Sequence, residues 1–509
     1  MNYRPDPKSW CLWDTWMFPD PDGERMHFFF LANRPDGGWE WAGHYLSEDL
    51  LHWQEGPAVR VCSDQDSYDA RWIGTGMVFQ GPADEYLLSY TANLNTISKI
   101  SFLHSKDLMH WEKRWPEPCI ESQLPYYQPD PKKSPGLVAF RDGFVHKVGN
   151  NYEALICAQG TENEPMDSGV IARYRSKGDD LQNWEALPPL LSGGIGLMAE
   201  VPEAFQIGDK HYLLWSNASH VGVVLDTTSR RLAFGTFYAV ADSYEGPYVI
   251  PQDNLLIGNG DSVRGQSYVG RITNWQGQTL LYNHQCHPEP CLGLPKTIVQ
   301  EPDGSLQAGY WTGIEKLHVR SLDVDFQKFT ELTEVPCGQW DRIDQNSLKG
   351  SNNLHGSQIL LDEQMPNDLH IRCNVSVEAA ARWAITFRDG PEYYQKIKGL
   401  ALQADFKHGH WLLGETAHYM TSCVNPIERI YQTPGQSCRV DILVRDIYCE
   451  IYIDGFWKFT FSAPNHRRDG QIGFLIDSGT VTFESIEIWQ LEAMEYPYLP
   501  GPEVPCRLT

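Results

Sequence analysis

Three short segments place carboxyl groups where they could act as nucleophile, base or proton donor: Asp14 in "WDTW", Asp142 in "AFRDGFV" and Glu200 in "MAEVPEAF". Two carboxyl groups on one substrate, one attacking or activating while the other donates a proton, form a working apparatus for cleaving an acetal. Each segment also has an ordinary structural reading. Asp14 and Asp142 suit turns in which aspartate accepts backbone N–H bonds, and Glu200 suits a solvated strand edge, with Glu203 as its neighbour and rival. Asp20, in "PDPDG", competes with Asp14 for the first position. The three segments lie far apart in the chain, so only the fold can join them.

The elements available for that task are strands. Runs such as "DEYLLSYTAN", "NYEALICAQG", "KHYLLWSNAS" and "GQTLLYNHQ" alternate with Gly, Pro, Asp and Asn clusters, the pattern of an all-β protein. A repeat lies within them. "LSEDLLHW" ends at Trp53, "HSKDLMHW" at Trp111 and "RSKGDDLQNW" at Trp184, with a related shape around Tyr248. Units roughly 60 to 70 residues long predict a β-propeller, each blade a four-stranded sheet. The count predicts five blades, at 10–53, 69–111, 137–184, 198–248 and 264–322. Asp14, Asp142 and Glu200 then fall near the starts of the first, third and fourth. Equivalent positions around a ring converge on one central funnel. His44, His52 and His110 belong to the blade motif and read as structural hydrogen-bonding residues, and Asp36-Gly37 and Asp303-Gly304 read as hairpin turns.

The motif stops near residue 325. Residues 1–325 are therefore expected to form the propeller, 326–354 a linker, 355–495 a β-sandwich and 496–509 an extended tail. The sandwich rests on alternating stretches such as "CRVDILVRDIYCEIYIDGFWKFTFS", where Asp454-Gly455 joins two strands as a hairpin. Shaping the rim, holding a second sugar and mediating a homodimer are all open to that domain.

Composition narrows the partners. A net charge of −25 argues against nucleic acid and anionic membranes, which need basic surfaces. The start, "MNYRPDPKSW", has no apolar signal core, and no run of 18 apolar residues offers a membrane span. The 12 cysteines form no CxxC pair, so reduced thiols in a cytoplasm are expected and the sequons at Asn217 and Asn374 carry no weight. No metal or other cofactor is required. The 18 tryptophans supply flat faces suited to sugars or to cores.

These residues resemble glycoside hydrolase families 32 and 68, the β-fructosidases. "WDTWMF" followed by "FFFLAN" is similar to the Trp-Asp-Ser-Trp-Pro nucleophile segment, and "AGHYLSEDLLHW" to Trp-Gly-His-Ala-x-Ser-x-Asp-Leu-x-x-Trp. "RWIGTGMVF" matches Trp-Ser-Gly-Ser-Ala with Thr75 for a Ser, "FRDG" matches Arg-Asp-Pro, and "EVPEAF" matches Glu-Cys-Pro-Asp-x-Phe. "LGLPKTIVQEPDGSLQAGYWTGIEKL" and "VDILVRDIYCEIYIDGFWKFTFS" extend the likeness over nearly the whole chain. Departures are the absence of an intact Trp-Met-Asn-Asp-Pro-Asn-Gly, Gly143 for a Pro and Val201 for a Cys, the marks of a divergent member.

The resemblance implies a retaining hydrolase of β-fructofuranosides. Asp14 is the nucleophile, with Asp20 as second choice; Glu200 is the acid/base, its proton held by nearby negative charge and partial burial. Asp142 binds ring hydroxyls as the oxocarbenium ion develops, and Arg141 pairs with the acids. Thr75 stands beside the sugar, and Trp13, Trp16 and Trp72 supply walls or core. Retention calls for carboxyl groups about 5–5.5 Å apart. The alternatives are fructosyl transfer, an inverting arabinosidase- or xylosidase-type propeller, and a non-catalytic sugar-binding propeller.

Overall fold

The computed structural model describes residues 3–33, 38–61, 68–69, 73–92, 98–130, 140–162, 167–217, 235–258, 267–286, 288, 290–326, 328–332, 338–352, 356–378, 382–390, 399–417, 420–423, 428–430, 432, 435–463 and 468–498. They form two compact units, one drawn from Tyr3–Asp261 with Ser267–Ala308 and the other chiefly from Gly309–Glu503. Both are β-structure: the first is a β-propeller and the second a β-sandwich.

Four antiparallel sheets of the propeller stand separately. Their innermost strands are Cys11–Pro19, Gly74–Gln80, Arg141–Val148 and Glu200–Ile207. The strands expected as a fifth blade also pair antiparallel, Ser267–Trp275 with Gln278–Gln285 and the latter with Lys296–Gln300. They do not close as a sheet of their own, so the expectation of five is corrected to four separate blades. The last strand of this set, Leu306–Tyr310, crosses the boundary between the two units. Its end finds a hydrogen-bonded partner at Gly309–Phe456, within the second unit, and is not left as an open edge.

Apolar faces explain the stacking. Trp16, Phe29, Val78, Leu88 and Leu103 fill one core, Phe79, Phe102, Tyr152 and Ile156 the next, and Phe144, Leu155, Leu213 and Trp215 a third. The Asp-Leu-x-x-Trp motif is a turn device. Asp49 accepts the N–H groups of Leu51 and His52 at 2.9 Å each, while Leu50 adopts φ 65°. Asp107 repeats this with Met109, His110 and Leu108 (φ 62°). His52 and His110 each bond their motif aspartate at 2.7 Å. His44 is buried, 2.9 Å from His27 and stacked on Phe29. Gly304 takes φ 86° in the Asp303 turn, whereas Asp36-Gly37 lies outside the described residues.

In the second unit the 21-residue strand Gln471–Leu491 serves two sheets. Its first part pairs with Ser357–Leu361 and Arg382–Asp389, and its later part with Ser347–Asn352 and Leu369–Val377. Trp383, Trp411, Phe474 and Phe483 fill the space between. The span expected as a linker, 326–354, holds the strands Phe329–Glu331, Gly338–Asp344 and Ser347–Asn352. The polar residues of Gly338–Asp344 are mostly exposed, whereas Ser347 and Asn352 are buried and Leu348 points into the core. Asp454 and Gly455 (φ 52° and 81°) make the expected hairpin turn.

Candidate active site

The innermost strands share one defect, and it positions the site. Each is bulged near its start: between Leu12 and Thr15, Gly74 and Gly76, Arg141 and Phe144, Glu200 and Glu203, and Tyr268 and Arg271. A bulge inserts an unpaired residue and re-aims side chains that would otherwise alternate. Asp14, Thr75 and Asp142 stand inside such bulges, while Arg141, Glu200 and Tyr268 immediately precede them. Asp142, Val201 and Val269 adopt φ values of 63°, 49° and 49°. For L-residues this costs about 1–3 kcal/mol each, a strain typical of functional sites.

Hydrogen bonds between neighbouring strand sets then lock the bulges into a ring. Thr75 Oγ1 donates to Asp14. The Asp142 N–H donates to Thr91 Oγ1 at 2.9 Å, and Ser89 Oγ donates to the Gly143 carbonyl at 2.6 Å. The Val201 N–H reaches Asp142 Oδ2 at 3.1 Å, and the Gly270 N–H reaches Thr236 Oγ1 at 2.7 Å. The Met17 N–H closes the circuit onto the Tyr282 hydroxyl at 2.9 Å.

Asp14, Asp142 and Glu200 consequently meet. Arg141 pairs with Glu200 through Nη2, and its Nε lies 3.6 Å from Asp142 Oδ2. Tyr268 donates its hydroxyl to the other oxygen of Glu200. Burial raises the Asp14 pKa from 3.8 to about 8, aided by the charges of Asp142 and Glu200 and opposed by the Thr75 hydrogen bond. Burial likewise lifts Asp142 to about 6, against the pull of Arg141. Burial works against the Arg141 charge, but Glu200 and Asp142 outweigh it and hold the guanidinium protonated. The arrangement is three carboxyl groups around one fixed cation in a largely dry cleft.

That imbalance has a measurable consequence. A carboxyl whose folded pKa exceeds its unfolded value favours the folded state at low pH, and this support fades as pH rises toward the folded value. Asp14→Asn keeps an acceptor for Thr75 and removes the titration. Its stability advantage over wild type should be small below about pH 4 and then widen by up to about 1.4 kcal/mol per pH unit as pH rises toward 8. Thermal midpoints measured across that range check this; a constant difference would contradict it.

The rival acids are engaged elsewhere. Asp20 pairs with Arg25 at 2.9 Å and with His27 at 2.8 Å, in the hairpin beyond Pro19. Glu203 is buried against Arg271 Nε and the Ile272 N–H, both at 3.3 Å. Trp16 is corrected as a sugar wall: it is 2 % exposed and stacks on Phe29 in the core between the first two sheets. Strand alternation after the bulge turns it away from the cleft. Trp13, inside the bulge, borders the site and lies 5.2 Å from the His284 ring. Trp72 is outside the described residues. Among the described residues, no group of three His, Cys, Asp or Glu is arranged to hold a metal ion.

Two site residues were not anticipated. Tyr268 and His284 face each other across adjacent strands, and His284 Nε2 lies 4.0 Å from Asp14 Oδ1. No sequence signal marks this pair, because the bulge that aims Tyr268 is visible only in the strand pairing.

Residues 20–257 match the family model described as "Glycosyl hydrolases family 32 N-terminal domain". Sucrose-6-phosphate hydrolase of Escherichia coli is 26% identical over 217 residues, 40% of this chain and 41% of that protein. Sucrose:sucrose 1-fructosyltransferase of Festuca arundinacea is 24% identical over 196 residues, 37% of this chain and 26% of that protein. The chain thus spans less than half the length of these curated relatives. Fructan 1-exohydrolase IIa from Cichorium intybus superposes with a TM-score of 0.67 at 13% identity, covering 97% of this chain and 99% of that one. The Bombyx mori GH32 beta-fructofuranosidase gives 0.64 at 16%, covering 96% and 94%. These structures establish the shared fold, and the matched segment holds Asp142, Glu200 and the rest of the third and fourth blades. Over residues 20–257 the chain is similar to the N-terminal domain of glycosyl hydrolases family 32.

Proposed function

We propose that this protein is a retaining glycosidase that cleaves β-fructofuranosides through a covalent fructosyl-enzyme. The observation that carries the reading is the convergence of Asp14, Asp142 and Glu200 on Arg141 within one cleft. Asp14 Oδ2 is held by Thr75, while Oδ1 has no hydrogen-bond partner. It is the oxygen free to attack the anomeric carbon. Attack requires the carboxylate, so the raised Asp14 pKa places the acidic limb of the rate profile above the usual carboxylate range. Glu200 gives a proton to the departing oxygen, then takes one from the water that opens the intermediate. Both Glu200 oxygens already have donors, so the leaving oxygen must displace Tyr268 or Arg141 to reach it. Asp142, anchored by the Val201 N–H, is left to bind ring hydroxyls. Trp13 borders the sugar.

Sucrose, fructo-oligosaccharides and fructan-derived sugars are the substrates to which this reading points. A sugar hydroxyl that replaces water at the second step would give fructosyl transfer from the same intermediate. Cys119, Cys157, Cys373, Cys438 and Cys449 are free thiols, which supports a reducing, cytoplasmic setting. Catalysis is assigned to the propeller, with no step given to the sandwich.

Proton NMR of the first-formed product decides the stereochemistry. β-Fructofuranose appearing before mutarotation is expected; initial α-anomer would replace the double displacement with a single inverting step.

A further inference from the structure

One group in the cleft has no part in the mechanism so far. His284 is fully buried, and neither of its ring nitrogens has a hydrogen-bond partner. A buried polar group without a partner costs about 1–3 kcal/mol, so an orphaned imidazole facing an orphaned carboxyl oxygen calls for a ligand. The ring is edge-on to Tyr268 with centroids 6.0 Å apart and lies 5.2 Å from Trp13. These neighbours fix its direction. Its Nε2 faces Asp14 Oδ1 across 4.0 Å, and that oxygen is also without a partner. The gap is too long for a direct hydrogen bond. An oxygen about 2.8 Å from each atom would see them about 90° apart, an acceptable angle for a hydroxyl that accepts from one and donates to the other.

We infer that His284 and Asp14 together form a binding site for one hydroxyl of the bound sugar, with His284 Nε2–H donating to the hydroxyl oxygen and Asp14 Oδ1 accepting its proton. This deepens the fructosidase reading and rests on it. Because Oδ1 also faces the anomeric carbon, the shared hydroxyl sits on an adjacent carbon, C1 or C3 of the fructosyl unit. Burial drives the His284 pKa down to about 3, so the imidazole stays neutral and donates a single N–H. A neutral donor suits the place, since a cation there would pair with Asp14 and blunt its attack. Each nitrogen then has a task open to it: Nε2 as the donor to the sugar and Nδ1 as an acceptor.

Calorimetry with fructose, which carries no bond to cleave, tests the site without turnover. Wild type should bind fructose, and His284→Phe should weaken binding at least about tenfold, the worth of one good hydrogen bond. Either 1-deoxyfructose or 3-deoxyfructose, which loses the bonds to both His284 and Asp14, should bind wild type at least as weakly as fructose binds His284→Phe, and the variant should lose less with that analogue than wild type does. His284→Asn, too short to reach, serves if the phenylalanine variant does not fold. His284→Gln, which keeps an N–H, should recover part of the loss. Unchanged fructose binding in the variants, full additivity with both analogues, or no fructose binding by wild type overturns the site. Fructoside turnover is read separately on wild type. Binding with no turnover overturns the proposed reaction and leaves the hydroxyl site standing. Turnover with an unaltered kcat/KM in His284→Phe does the reverse.

Discussion

Asp14→Ala is expected to lower kcat on every accepted fructoside by about 10,000-fold or more, the scale of losing a covalent nucleophile. Asp20→Ala is expected to stay close to the wild-type rate. The contrast follows from where the two carboxylates point. Asp14 stands in the bulge of Cys11–Pro19, bonded to Thr75 and within the field of Asp142 and Glu200. Asp20 lies past the end of that strand and is consumed by Arg25 and His27. Rates for both variants, with circular dichroism to confirm folding, give the answer. An active Asp14→Ala beside a dead Asp20→Ala would transfer the nucleophile's role to the hairpin. Asp14→Asn should be as inactive as Asp14→Ala yet more stable than wild type at pH 8. Opposite signs for activity and stability at one residue are the signature of a group held at a cost for its chemistry.

Glu200→Gln carries the second large effect. Removing a general acid costs about 100- to 10,000-fold, and the loss should depend on the leaving group. A sugar alcohol needs the proton to depart, so sucrose-like substrates should suffer the full loss. An aryl fructoside, whose phenolate leaves unaided, should form the covalent intermediate at a rate closer to wild type. Hydrolysis of that intermediate then lacks its base. Added azide, which needs none, should restore turnover and yield a fructosyl azide of retained configuration. Equal losses on both substrate types, with no response to azide, would remove Glu200 from proton transfer and leave it only a contact to Arg141. A sugar-binding propeller without activity would show no turnover in wild type or variant and unchanged binding in both.

The sequence alone determined the class of elements, the local turns and the short list of acids. Strand alternation made the chain all-β, the Asp-Leu-x-x-Trp repeat marked the blades, and Asp454-Gly455 marked a hairpin. These are legible because they depend on residues a few positions apart. Aspartate accepts the next N–H groups, Leu50 and Leu108 take a left-handed turn, and glycine relieves a positive φ. Choosing Asp14 over Asp20, or Glu200 over Glu203, was a different matter. In a strand, one inserted residue sends every later side chain to the other face, and the bulges that do this leave no reliable mark in the sequence.

Trp16 shows the effect directly: two positions beyond Asp14 it is already in the core. The meeting of Tyr268 with Glu200 and of His284 with Asp14 joins residues hundreds of positions apart in the case of His284, and the raised Asp14 pKa arises only when the ring buries that carboxyl and brings the charges of Asp142 and Glu200 beside it. The number of separate blades likewise depended on strand pairing, since the strands from Ser267–Trp275 to Lys296–Gln300 do not close as a sheet of their own. Local hydrogen bonds write themselves into sequence, whereas register and convergence are properties of the closed ring.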